Sequence, residues 1–380
     1  MKRRLIVAVL LIIPLSILFA QETAKHSLNI SLWDPIASSP YDSLSTTAVT
    51  LGFSSRTYNL KGVGVNMSAH FNEKGVNGVT LNGVGEFAKG NMNGVEISGL
   101  FNVVSGHMHG LQIATVQNTN VLHSKGVMIA GITNFTIGDA RGVQIAGITN
   151  MAGSHFSGVQ FSSAVNIASS SSDLLQIAGL VNVCAEPING IQIALGNYAG
   201  GVNGVQMGLL NLCGGDVRGV QIGIINHSKD TSAVKIGLVN ITPKTRIQLL
   251  TYGGNTTRIN TAVRFKNHHV YTILGIGTHY LGLNDKFSGS LFYRAGAELP
   301  LMKKLFLSSD AGFSHIENFA NEDMTTPERM YSLQLRLNLE YHPLPRFGIF
   351  VSGGYAHTRY YKANRIYENK PIVELGIALF

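Results

Sequence analysis

The sequence predicts an all-β chain, a β-solenoid of about twelve coils of 14–16 residues inserted in an antiparallel β-barrel of about 8–10 strands. Three observations point there. Glycine recurs at sixteen-residue spacing through the middle of the chain, a faultless polar–apolar alternation runs through its last third, and no apolar stretch after residue 20 reaches the roughly 18 residues of a membrane helix. Charged residues make up only 13% of the 380, against the roughly one quarter usual for soluble domains, while apolar content is ordinary at 45%. That balance disfavours a water-soluble enzyme. A membrane, if this chain meets one, is met by strands.

Residues 1–20 read as a secretory signal peptide: Lys2, Arg3 and Arg4 precede an apolar run from Leu5 to Phe19, and Ala20 is the small residue at the cut. Two strands are expected next, within 21–61, near 26–33 and 46–55, both assigned to the barrel. The repeat domain follows over 62–242. Its units open at Gly62, Gly78, Gly94, Gly110, Gly126, Gly142, Gly158, Leu174, Gly190, Gly204, Gly219 and Ala233. The next position is always aliphatic (Val127, Val143, Val159), the one after is mostly glutamine (Gln112, Gln144, Gln160, Gln176, Gln192, Gln206, Gln221), and the third is apolar again. Apolar–polar–apolar at period two is a strand with one buried face, so the aliphatics are expected inside and the glutamines in solvent. No single coil buries enough to stand alone, and the coils must stack.

A further column is asparagine: Asn102, Asn118, Asn134, Asn150, Asn166, Asn182, Asn197, Asn211, Asn226 and Asn240. Either these form a ladder of amides from coil to coil, or they are turn residues chosen for left-handed backbone angles; both readings place them at a bend. A membrane barrel of hairpins is the rival for this region. It needs aromatic girdles, and between Gly62 and Thr242 the only tyrosine is Tyr198. Cys184 and Cys213 each follow a column asparagine by two residues but lie two coils apart, about 9.6 Å and too far for a disulfide, which predicts two buried thiols.

From 243 to 380 the grammar changes, and ten of the thirteen tyrosines lie beyond Thr245. In Tyr331–Tyr341 the odd positions are Tyr, Leu, Leu, Leu, Leu, Tyr and the even ones Ser, Gln, Arg, Asn, Glu. Tilted by about 40°, such a strand spans the apolar band of an outer-membrane barrel with Tyr331 and Tyr341 at the two lipid interfaces. Eight strands are expected, near 246–253, 257–267, 270–282, 287–300, 304–316, 330–342, 346–358 and 371–380. Arg294, Glu298, Arg336 and Glu340 face the lumen and are expected to plug it by mutual pairing. The terminal Phe380 resembles the outer-membrane assembly signal read by the barrel assembly machinery, although its phase falls with Glu374 rather than with Val373, Leu375, Ile377 and Leu379. With the C-terminus periplasmic, the long loops 317–329 and 359–370 face outward, the short connections 267–270, 301–304 and 343–346 face inward, and the solenoid leaves from the periplasmic side. If 246–253 is too short to span, the barrel has eight strands including one upstream, and the solenoid moves outside.

The repeat core Gly219-Val220-Gln221-Ile222-Gly223-Ile224-Ile225-Asn226 resembles a family of bacterial surface-repeat proteins, the similarity covering about 62–242. That resemblance implies an envelope protein without known catalysis, and a surface exposure opposed to the parity count. The residues themselves suggest no site chemistry. The acids of the repeat (Glu73, Glu86, Glu96, Asp139, Asp173, Glu186, Asp216, Asp230) do not gather at one register on neighbouring coils. His107-Met108-His109 and His268-His269 have no partners at metal-ligand spacing. Net charge is +8, but the basic residues are dispersed, which suits anionic lipid headgroups better than nucleic acid. The expectation is a non-enzymatic protein of the cell outer membrane, without cofactor or metal, whose partners are outer-membrane lipid and a protein or glycan bound on the solenoid. The alternatives are a small-solute channel or transport component, and a secreted all-β binding protein.

Overall fold

The structure is a computed structural model and describes residues 26–34, 36–39, 45–170, 172–229, 233–279, 281–282, 286–321, 328–362 and 365–380. The expected signal peptide at 1–20 and Asp230 lie outside these residues, as do 322–327 and 363–364 of the two long loops. The chain divides into two compact units, 1–200 and 201–380.

The first unit is a stack of parallel strands in strict sixteen-residue register. Gly110, Gly126, Gly142 and Gly158 pair in succession, as do Asn118, Asn134, Asn150 and Asn166. One coil consists of a seven-residue strand (Ala140–Ala146), a bend at 147–148 and a four-residue strand (Thr149–Ala152). The opening glycine is a steric requirement. At Gly126 φ is +140°, and a Cβ there would lie 1.9 Å from the Gly110 carbonyl oxygen of the coil below.

The residues expected as upstream barrel strands belong to this stack instead. His26–Trp33 pairs parallel with Thr46–Gly52, which pairs parallel with Ser55–Asn66. Period-two apolarity is common to barrel and solenoid strands, so the neighbour across the hydrogen bonds decides between them. Ile36–Ala37 turns back antiparallel along His26–Trp33 and occupies its other edge.

The second unit contains further coils and the barrel. Val217–Ile222 with Ile225–His227, and Val234–Ile236 with Val239–Ile241, form two further coils that pair parallel with each other. Eight antiparallel strands follow: Arg246–Gly254, Ile259–Asn267, Val270–Thr278, Lys286–Met302, Leu305–Asn321, Arg329–Leu344, Phe347–Tyr360 and Ile366–Leu379. The first pairs with the last through Leu249 and Leu379, which closes the barrel with eight strands and needs none from upstream. The solenoid therefore precedes the barrel and is not inserted in it. Arg246–Gly254, short as it is, completes the wall.

Which side of each strand faces inward is the main departure from expectation. The glutamine and asparagine columns are buried throughout, with Gln112, Gln160, Gln176, Asn134 and Asn150 fully so. The aliphatic column points out: Ile97, Ile145, Phe161 and Met207 are exposed, as are the bend residues Ile132, Ile148, Leu180 and Ile224. The asparagines sit within the four-residue strands, not at the bend. Alternation defines two faces without saying which is inside, and stacking in register makes the polar face the one that satisfies itself. Cys184 and Cys213 are buried thiols as expected, the first donating to the Ser170 carbonyl (3.2 Å) and the second to that of Gly215 (3.4 Å).

Candidate functional site

The expected asparagine ladder is present. Nδ2 of Asn102 donates to Oδ1 of Asn118 (2.8 Å), and the same bond repeats through Asn134, Asn150, Asn166, Asn182 and Asn197 at 2.9–3.0 Å. In the second unit Asn211, Asn226 and Asn240 make the same bond in succession at 2.8 Å. Most of these amides also donate to a backbone carbonyl one coil on, as Asn134 does to Ile145 (2.7 Å), while Asn240 donates to Gly237 of its own coil (3.1 Å). A glutamine ladder runs beside it: Gln160 donates to Gln144, Gln176 to Gln160 and Gln192 to Gln176, all at 2.7–2.8 Å. Identical amides one coil apart offer each donor an acceptor, which offsets the cost of burying them.

Both columns carry an ionisable residue ahead of their first amide, although Met128 separates Gln112 from Gln144 in the glutamine column. Glu86 occupies the asparagine column, between His70 and Asn102. It is fully buried, 2.8 Å from His70 Nδ1 and accepting from Asn82 Nδ2 (2.9 Å). Glu96 occupies the glutamine column between Thr80 and Gln112. It too is fully buried and accepts from Gln112 Nε2 (2.9 Å), while its second oxygen, Oε1, has no partner. Burial first, and the Glu86 charge second, push the Glu96 carboxyl well above its ordinary value. These two acids, scattered by sequence register, thus belong to one polar interior.

The outside of the stack is mostly aliphatic with one polar edge. Asn91, His107, His123, Asp139 and His155 succeed one another there. Asn91 Oδ1 accepts from the His107 amide (2.9 Å), His123 Nδ1 from the Asp139 amide (3.0 Å) and Asp139 Oδ1 from the His155 amide (3.2 Å). The His107 ring stacks on His123, centroids 5.2 Å apart. His107 and His109 are separated by the inward-pointing, buried Met108. Among the described residues no three groups of metal-binding type come together.

The barrel keeps the polarity the alternation predicts. Ser332, Gln334, Arg336, Asn338 and Glu340 are buried in the lumen, while Leu333, Leu335, Leu337 and Leu339 are exposed, Leu335 at 60%. Tyr341 is exposed at the short-turn end of its strand, and Tyr331, at the other end, packs on Phe313 and Tyr361 with centroids 6.0 and 5.1 Å away. Ion pairs fill the lumen, but the four expected residues do not pair with one another. Arg264 grips Glu340 through two bonds (2.6 and 2.7 Å), Arg294 grips Asp310 (2.7 and 2.7 Å), Arg336 grips Glu374 (both 3.0 Å), and Lys266 bonds to Glu298. Hydrogen-bond register across the wall, invisible in one strand, sets these partners. The sequence carries a signal for both partners: Glu374 alternates with the apolar Val373, Leu375 and Ile377, and Asp310 follows Ser308 at period two. Tyr252 packs edge-on with Phe292 and with Phe350, and all three rings are buried.

One rim carries the short turns His268-His269, Lys303-Lys304 and Pro345-Arg346, together with Arg246 and the C-terminus, where Arg246 Nε donates to the Phe380 carbonyl (3.2 Å). Phe380 lies just beyond the last strand with φ +72° and is 64% exposed, so the backbone turns it out of the lumen phase it shares with Glu374. The opposite rim carries the long connections, and the last coil, Val234–Ile241, leads into the barrel at the short-turn rim.

No protein-family model matches the chain, and no curated protein does. Among solved structures, a de novo designed transmembrane β-barrel covers 36% of this chain and 95% of its own at 16% identity and a TM-score of 0.25. Neisserial surface protein A covers 35% of this chain and 92% of its own at 10% identity and a TM-score of 0.25. The N-terminal β-barrel domain of Pseudomonas aeruginosa OprF covers 35% and 93% at 13% identity and a TM-score of 0.26.

Proposed function

We propose that this chain is a non-enzymatic outer-membrane protein whose barrel spans the bilayer and whose solenoid serves as a binding or structural surface along the envelope. The observation that carries this reading is the polarity of the barrel. Leucines cover its outer face and buried ion pairs fill its inner one, an arrangement that suits lipid outside and would leave a water-soluble sandwich with its core turned out. The four lumen acids named above each have a basic partner, which leaves them committed to structure rather than to acid–base chemistry. The ion pairs buried in the lumen also argue against the channel alternative.

The reading of the solenoid changes with its inverted faces. A glutamine-lined surface is not on offer to a protein or glycan; what the stack displays is columns of Val, Ile, Leu and Phe with one polar edge. Such a surface suits an apolar partner, of which outer-membrane lipid is the nearest. The repeat's resemblance to bacterial surface-repeat proteins agrees with an envelope role. Membrane fractionation with a heat-modifiability gel tests the reading. The full chain is expected in the outer-membrane fraction with a mobility that changes on boiling; a soluble chain with unchanged mobility refutes it.

A further inference from the structure

The last coil does not end in solvent. It packs on the outside of the barrel wall. The Leu238 carbonyl accepts from Thr272 Oγ1 (3.1 Å), the Gly237 carbonyl from Tyr293 OH (3.0 Å) and the Asn240 carbonyl from Asn267 Nδ2 (2.9 Å). Thr272 and Tyr293 alternate along their strands with Tyr271 and Arg294, which point into the lumen, so these contacts are made on the outer face. The open end of a solenoid is an exposed sheet edge that needs covering, and here the barrel wall covers part of it.

The cover is incomplete. Between coil and wall lies a cavity of about 560 Å³, within the usual size of a small-molecule site. Its lining is mainly apolar, with Ile236 on the coil and Phe265, Val270 and Tyr293 on the wall, and it also includes His268 and His269 of the short turn. Lys235, which succeeds Gln221 in the glutamine column, adds a cationic side chain at the end of that ladder. Lys303, Lys304 and Arg346 belong to the same rim of the barrel.

We propose that this cavity holds an acyl chain of a phospholipid, with the phosphate drawn to Lys235 and the His268-His269 turn. The inference rests on the membrane reading above, because the cavity opens on the wall that reading turns toward lipid. An aliphatic tail matches the lining, an anionic headgroup matches the basic rim, and their meeting at the short-turn rim places the phosphate where a bilayer interface would be. The bound lipid then acts as the remaining part of the solenoid's cap.

The test is photo-crosslinking of the full-length chain in detergent with phosphatidylglycerol carrying a diazirine in its tail, mapped by peptide mass spectrometry. Labelling within 233–241 and 265–272 is expected to saturate at about one lipid per chain, to compete with unlabelled phosphatidylglycerol, and to fall about tenfold with diacylglycerol, which lacks the phosphate. Ile236→Trp, which fills the cavity, is expected to lower labelling there by about tenfold, the loss that follows from denying roughly two methylenes of contact. Labelling around Leu335 and Leu337, on the leucine belt, is expected to persist in that variant. Belt labelling with cavity labelling that neither saturates nor competes in the native chain overturns the inference and leaves the membrane reading standing. Loss of labelling at both places overturns both.

Discussion

Replacing Glu96 by glutamine is expected to stabilise the solenoid at neutral pH, an unusual direction for a change at a fully buried position. Glu96 stands in a column of glutamines, accepts one bond from Gln112, and leaves two neighbouring buried oxygens, its own Oε1 and Thr80 Oγ1, without partners. The amide introduced by Glu96→Gln, donating back to Thr80, would repeat the bond that Gln160 makes to Gln144 at 2.8 Å. Relieving one unmet buried group is worth about 1–3 kcal/mol, and each kcal/mol moves the unfolding midpoint of a domain of this size by about 2–4 °C. The pH dependence is the sharper check. Because the Glu96 carboxyl titrates well above 4.5 when folded, the folded chain binds a proton that the unfolded chain releases, and its stability falls as pH rises from about 4.5 toward the raised value. Glutamine has no such penalty. The advantage of Glu96→Gln is therefore largest at neutral and higher pH and shrinks below pH 4.5, where glutamate is protonated in both states. Thermal unfolding between pH 4 and 8, with hydrogen exchange over residues 91–120 to localise the effect, measures it. A variant less stable than the native chain at pH 7.5, or an advantage independent of pH, refutes the reasoning.

Asn134→Ala removes donations to Ile145, Asn150 and Met128 and an acceptance from Asn118, and is expected to cost about 3–5 kcal/mol; Thr133→Ala, its neighbour on the other face, is expected to stay within about 0.5 kcal/mol, both read by denaturant unfolding with hydrogen exchange. Glu374→Gln strands the Arg336 guanidinium in the lumen and is expected to lower barrel stability by about 3–5 kcal/mol, seen as a lower temperature for the heat-induced gel shift, whereas joint replacement of both by apolar residues costs less. Non-reducing mass spectrometry should find Cys184 and Cys213 as thiols that alkylate only on unfolding; a bridge between them contradicts the structure. Planar-bilayer recording of the native chain should show no steady conductance, and a stable open channel would mean that the ion pairs do not seal the lumen.

Much of the architecture was legible because it rests on short periods. The eight barrel strands appear within a few residues of their expected ends, since each carries its own alternation between turn residues, and Tyr331–Tyr341 needs no neighbour to be read. The coil length was legible from Gly110, Gly126 and Gly142 because only glycine accepts both the positive φ and the carbonyl beneath it. The site residues were less so. Arg294 and Arg336 lie in the lumen as the phase of their own strands predicts, yet their partners Asp310 and Glu374 depend on the register of residues 16 and 38 positions away. Residues 26–52 join the stack although their alternation predicts barrel strands, because an alternating strand looks the same beside a coil as beside a hairpin.

Taken alone, the order of residues determined the strand content, the sixteen-residue period and the two faces of every strand, all of which follow from local backbone geometry. Tertiary structure decided which face lies inside. In the barrel the lumen takes the polar face, as the alternation was read. In the solenoid the same choice reverses the expected one, because an Asn or Gln amide stacked on its own kind has a donor on one side and an acceptor on the other, a satisfaction that does not exist until the coils are in register. The aliphatic columns are thereby left outside, and the chain presents an apolar exterior from both of its parts.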